Sequence, residues 1–209
     1  MDYKKLVIYV GLSIVFVLMV FDLYHGVSER MNAKNPDPNH THANFAVWVH
    51  GKQYDFAQVK YMSGSSTDES THPHVGPRQY LHLHDGNGHV IHRHKPGLTF
   101  GDFLKSLGFR YVSGPISSLT TDTREVFRNG REEVWRLMVN GEPKEFTFDL
   151  DFQDGDRLLF SFGADNAELE REWKQMKDDA CLYSKTCPWR GDPPVENCIA
   201  DPMVPCVGT

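Results

Sequence analysis

The chain lacks any run or patch of basic residues. Its 22 lysines and arginines are outnumbered by 28 aspartates and glutamates, a net charge of -6 with the histidines neutral. This excludes a nucleic-acid partner held through its phosphates. No C-x-x-C pair occurs, which removes a thioredoxin-like redox catalyst and leaves no paired knuckles for a four-cysteine zinc site. There is no internal repeat and no long low-complexity segment. Only one apolar stretch is long, and it lies at the N-terminal end.

That stretch, Leu6 to Phe21 (LVIYVGLSIVFVLMVF), is uncharged, follows Lys4-Lys5 and runs on to Tyr24. Counted as residues 6–24, it just spans a bilayer core of about 30 Å. No small-x-small cleavage site follows it, so an uncleaved anchor is expected rather than a cleaved signal peptide. The lysines predict residues 1–5 in the cytoplasm of a single-pass cell-membrane protein, with the domain after the anchor extracytoplasmic, either periplasmic or extracellular. Cys181, Cys187, Cys198 and Cys206 all fall in the last 29 residues and would then meet an oxidising compartment. Two disulfides are the expectation.

Residues 25–39 end in Asn35-Pro36-Asp37-Pro38 and read as an extended linker lifting residues 40–163 off the membrane. Asn44 to Phe56 alternates around Gly51-Lys52 as a β-hairpin. Thr99 to Leu107 is a short helix with Thr99 as N-cap and Asp102 in the capping-box position. Its buried face is Phe100, Phe103, Leu104 and Leu107, and Gly108 stops it. Val112 to Asp122 is rich in Ser, Thr, Gly and Pro and reads as irregular. Three strand-like runs follow, Glu133 to Val139, Lys144 to Leu150 and Asp156 to Phe162, with Asn140-Gly141 as a turn between the first two. Hairpins, one crossing helix and a return set of strands predict an α+β sheet domain of β-grasp (ubiquitin-like) type. Residues 164–180 predict a second helix clamped on the domain, with Leu169, Trp173 and Met176 on one edge. Residues 181–209 predict an irregular tail tied by its cysteines.

What the chain has in excess is histidine. Seven of its 11 fall between His72 and His94, and four H-x-H pairs stand out: His40/His42, His72/His74, His82/His84 and His92/His94. Alternate residues of a strand share a face, so each pair presents two imidazoles together, about 7 Å apart along the strand. Asp85 to His89 is a turn. A three-residue loop with Gly88 left-handed sets His82 opposite His92 and Tyr80 opposite His94, placing all four histidines on one face. A two-residue loop on Gly86-Asn87 would split them. The glycine position favours the first. His40 and His42, on the neighbouring strand, and His72 and His74, on a preceding polar loop, can reach the same place.

These elements resemble a family of uncharacterised, membrane-anchored, histidine-rich extracytoplasmic microbial proteins. The family pattern is H-x-H before a strand ending in x-G-k, then l-H-x-H-d-x-x-G-x-I-H, then t-l-G-d-F-f-x-x-l-G. It is matched by His40-Thr41-His42, His50-Gly51-Lys52, Leu81 to His92 and Thr99 to Gly108, with His50 standing where a turn asparagine is usual. The resemblance implies an extracytoplasmic compartment and a histidine-rich face, and it names no reaction.

Crowding imidazoles on one sheet face is costly as they protonate, and a metal removes that cost. Imidazole donors without free thiolates favour copper(II) or zinc. The expected ligands are His82, His84 and His92, then His94, His42, His40, His74 and His72. Delivery, storage or structural stabilisation by a bound copper or zinc ion is the leading expectation. The lipid bilayer would be met through residues 6–24, and a membrane or extracytoplasmic protein would be the partner. A non-catalytic accessory or scaffold subunit of a membrane complex is the alternative. An enzyme would need an open coordination position and a general base. Asp85 is committed to the turn, Asp68 and Glu69 lie on the polar loop, and the glutamate that follows H-x-H in cupins is absent.

Overall fold

A computed structural model describes residues 3–63 and 80–194. It begins with a 30-residue helix, α1 (Tyr3–Asn32), whose segment Val7–Asn32 is long and apolar enough to cross a membrane, with a mean hydropathy of 2.3. Its apolar side chains are exposed. The helix outruns the expected anchor, and residues 25–32 of the expected linker are helical. Gly26 alone carries a large helix penalty between Tyr24 and Asn32, whereas Pro36 and Pro38, which cannot continue a helix, come later.

The domain that follows is mixed α+β. Its main sheet is built from β1 (Thr41–Val49), β2 (Lys52–Gln53), β3 (Leu81–His82), β4 (Val90–Arg93), β8 (Trp135–Val139), β9 (Glu142–Lys144) and β10 (Arg157–Phe162). The order is β3-β4-β1-β10-β8-β9, with β2 paired to β1. The central pair β1/β10 is parallel and the other pairings are antiparallel. Being central, β1 is buried on both faces. Ala43, Phe45 and Val47 join the main core with Phe100, Phe103, Leu158 and Phe160, while Ala46 and Trp48 point the other way with Met138 and Leu159.

α2 (Phe100–Ser106) covers the main-core face. It forms as expected: the Thr99 hydroxyl accepts from the Asp102 N–H, the Asp102 carboxylate accepts from the Thr99 N–H, and Gly108 follows with a φ of 88°. α3 (Asn166–Gln175) covers the opposite face through Leu169, Trp173 and Met176, again as expected. It also brings down a carboxylate, Glu172, only 2% exposed.

Two expectations are corrected. The stretch from 112 to 122 is not irregular: β5 (Arg110–Val112), β6 (Ser118–Thr120) and β7 (Val126–Arg128) form a separate three-stranded sheet. Each strand is three residues long, too short for an alternation to register, and buried Leu119 anchors it. The run Lys144 to Leu150 is mostly not a strand, because β9 ends at Lys144. Beyond it Phe146, Phe148 and Leu150 pack into the core without ladder bonds. The Asn140-Gly141 turn matches, with Val139 facing Glu142 across it, whereas the first hairpin turns one residue earlier than the expected Gly51-Lys52: Val49 faces Lys52 across His50-Gly51, and all four turn residues have positive φ.

Candidate metal centre

Strand alternation assembles the site. Leu81, Leu83, Ile91 and Ala43 point into the main core. Their neighbours His82, His84, His92 and His42 therefore face the other side of the sheet, beyond the end covered by α3. Register then aligns them across three strands, with His82 opposite His92 in β3/β4 and His92 opposite His42 in β4/β1. His94 N–H donates to the Tyr80 carbonyl at 2.8 Å, continuing the same register. His40, His42, His82, His84 and His92 are buried and His94 is half-buried.

One ring nitrogen from each of His40, His42 and His92 lies within 4.8 Å of the others, a group that could hold a metal ion. Nitrogens on a tetrahedral ion at 2.0–2.1 Å stand roughly 3.4 Å apart, so small side-chain rotations close the set. The supporting hydrogen bonds are already arranged for it. The Ser184 hydroxyl donates to Asp154 Oδ1 at 2.5 Å, so its oxygen accepts from His42 Nδ1–H at 2.8 Å. Asp154 also accepts from the His42 backbone N–H at 2.9 Å. This fixes the His42 proton on Nδ1 and leaves the lone pair on Nε2. Likewise Asp85 Oδ2 accepts from His84 Nδ1 at 2.6 Å, His84 Nε2 accepts from His92 Nδ1 at 3.1 Å, and the His92 lone pair falls on Nε2. Carboxylates thus back two of the histidines.

A covalent loop closes over this arrangement. Cys181 and Cys187 are disulfide-bonded, and between them lie Tyr183 and Ser184. The Tyr183 ring sits 5.6 Å from that of His42 and 5.1 Å from that of His92, and its hydroxyl accepts from Asn87 Nδ2 at 2.8 Å. α4 (Ala180–Tyr183), which carries the tyrosine, is fastened by Asn44. The Asn44 side-chain oxygen accepts from the backbone N–H groups of Asp179 and Ala180, and its Nδ2 donates to Asp179 Oδ1. His89 Nε2 bonds Asp179 Oδ2 at 3.0 Å. Burial raises the Asp179 carboxyl, but the bonds from His89 and Asn44 outweigh it and hold the group below the usual carboxylate range.

Of the expected ligands, His82, His84, His92, His94, His42 and His40 come together in one patch of touching rings. His72 and His74 lie outside the described residues, as do Asp68, Glu69, Cys198 and Cys206. The turn is corrected. Gly88 is not left-handed; Asp85 and Gly86 are, with φ of 56° and 70°, and Asn87 N–H closes the turn onto the His84 carbonyl at 3.0 Å. Strand pairing ends at His82/His92; the tight turn pairs His84 with Asn87, and the residues from Asn87 to His89 that follow it lie outside the ladder and restore the expected register. Gly88 is needed for another reason. A Cβ there would stand 2.3 Å from the Ala57 nitrogen and 2.5 Å from the Phe56 carbonyl carbon, so the loop touches the chain beneath it.

Asp154, Ser184 and Tyr183 went unrecognised in the sequence. They lie more than 100 residues from His42, and only the disulfide spacing around Tyr183-Ser184 hinted at an ordered loop. His50, left out of the site, is remote from it and pairs with Glu133 at 2.9 Å. No family model matches the chain, and neither a curated protein nor a solved structure matches it.

Proposed function

We propose that this is a membrane-anchored, extracytoplasmic protein that binds copper or zinc on its histidine face and delivers or stores it. The observation that carries this reading is the convergence of ring nitrogens from His40, His42 and His92 within 4.8 Å, with the His42 and His92 tautomers set by hydrogen bonds. Imidazoles held with Nδ1–H on a partner and Nε2 presented are the form in which histidine binds zinc and copper. Among the described residues the buried donor set has no carboxylate inside it, which suits retention of an ion better than hydrolysis, a reaction that needs an open position and a base.

Two features support this compartment and membrane. The apolar α1 provides the span, and the Cys181–Cys187 bridge suits an oxidising space. His40 comes eight residues after Asn32, at most about 28 Å of chain, so the centre stays close to the bilayer. A neighbouring membrane protein is then the natural recipient or donor of the ion. We read the sheet as β-grasp-like, on the parallel β1/β10 pair at its centre and the single helix crossing one face.

The test is titration of the detergent-solubilised, metal-stripped full chain with zinc(II) and copper(II) against a competing chelator, beside a His42→Ala variant. The native chain should bind tightly and the variant more weakly by over about 100-fold, beyond the loss of a supporting hydrogen bond. Equal affinity in the two would remove the centre from the account.

A further inference from the structure

The patch contains more imidazole than one ion uses, and its rings fall into two triangles that meet at His92. In the first, ring centroids are 4.2 Å apart for His40/His42, 4.8 Å for His42/His92 and 5.8 Å for His40/His92. In the second they are 3.9 Å for His84/His92, 5.9 Å for His82/His84 and 6.1 Å for His82/His92. Two imidazoles on one tetrahedral ion have centroids about 5 Å apart. Both triangles straddle that value.

Each triangle also has its own carboxylate-backed histidine. Asp154 supports His42 through Ser184 in the first, and Asp85 supports His84 directly in the second. Such support raises ligand basicity and offsets the charge of a cation, so each triangle carries a histidine prepared to ligate. Between the triangles, His92 is fully buried and uses its two nitrogens in different directions: Nδ1 lies 3.1 Å from His84 Nε2, close to the spacing of two nitrogens on one ion, while Nε2 carries the lone pair for the other triangle.

We infer that the patch is a two-ion centre in which His40, His42 and His92 hold one divalent cation and His82, His84 and His92 hold a second, with His92 bridging them. The second ion takes the place of the proton that His92 Nδ1 shares with His84, and that proton passes to solvent. His94 stacks on both His40, at 4.0 Å, and His82, at 4.9 Å, and so joins the two halves on the open side. This inference rests on the metal-binding reading above.

The experiment adds copper(II) stepwise to the metal-stripped full chain in detergent, with stoichiometry from equilibrium dialysis and spin from electron paramagnetic resonance. Two ions per chain are expected, and the spin signal per copper should fall as the second enters, because coppers bridged by one imidazole ring couple magnetically. His84→Ala should bind one ion with an undiminished signal. His82→Gln, which keeps a polar side chain of similar length, should do the same, and circular dichroism confirms that each variant is folded. A single ion in the native chain, left unchanged by His84→Ala, overturns the two-ion centre and leaves the one-ion reading standing. Two ions with additive spins overturn the bridge. No bound ion removes both readings.

Discussion

Ser184→Ala isolates the hydrogen bond that orients His42. The native hydroxyl is buried, donates to Asp154 at 2.5 Å and accepts from His42 Nδ1 at 2.8 Å. Asp154 Oδ1 stands 3.9 Å from His42 Nδ1, beyond hydrogen-bond reach, and cannot take over the hydroxyl's place. The bond that orients His42 is then lost, and the ring can turn or place its proton on Nε2, which removes it as a ligand. Loss of a partner of this kind lowers metal affinity by about 10–100-fold, or about 1.4–2.8 kcal/mol. Zinc affinity measured by competition with a chromogenic chelator should fall by that factor. Ser184→Thr, which keeps the hydroxyl, should retain most of the affinity. Thermal unfolding of the metal-free variants separates the effect from stability, since an unpaired Nδ1–H also costs about 1–3 kcal/mol of folding. Native-like zinc affinity in Ser184→Ala would refute the idea that this bond orients the ligand.

Three further outcomes are expected. Cys181→Ser/Cys187→Ser opens the loop that carries Tyr183 and Ser184; chain entropy for a separation of six residues predicts about 2 kcal/mol of lost stability, and metal affinity should fall with it, whereas unchanged affinity would make the bridge irrelevant to the centre. Glu172 is on the buried face of α3, and burial pushes its carboxyl above the ordinary value of 4.5. Its folded-state stabilisation is therefore complete below that value and is lost as pH rises through the raised one, so Glu172→Gln should be more stable than the native chain at neutral pH and lose that advantage in acid. Urea denaturation at the two pH values decides it. Gly88→Ala drives a Cβ into the Ala57 backbone and should destabilise the domain by about 1–3 kcal/mol in the same assay; a neutral effect would show that the loop yields without disturbing β3/β4.

The histidine register was legible because it depends on alternation and on a sum of positions, and both survived a wrong turn. Pairing His82 with His92 needs the loop as a whole to be centred on Asn87; the expected Gly88 bulge does this directly, and the observed turn on Asp85-Gly86 does it only because Asn87 to His89 follow it outside the ladder. α2 was legible to the residue because Thr99, Asp102 and Gly108 are local signals. What could not be read depends on contacts distant in sequence. Ser184 and Asp154 join His42 across 142 and 112 residues, and beyond the two cysteines that bracket Ser184 nothing in their own neighbourhoods marks them. The β5-β6-β7 sheet escaped because strands of three residues carry too little pattern. β9 broke off at Lys144 because the alternating Phe146, Phe148 and Leu150 fill the core without a strand partner.

The central claim is that this chain carries metal on its histidine face, and elemental analysis of the untagged full chain, taken from its own membrane in detergent, tests it most directly. Stoichiometric copper or zinc in the native protein, absent from a His40→Ala/His42→Ala/His92→Ala variant that remains folded, is the predicted result. Native protein that is folded and carries no copper or zinc, or a variant that keeps its full complement, would contradict it.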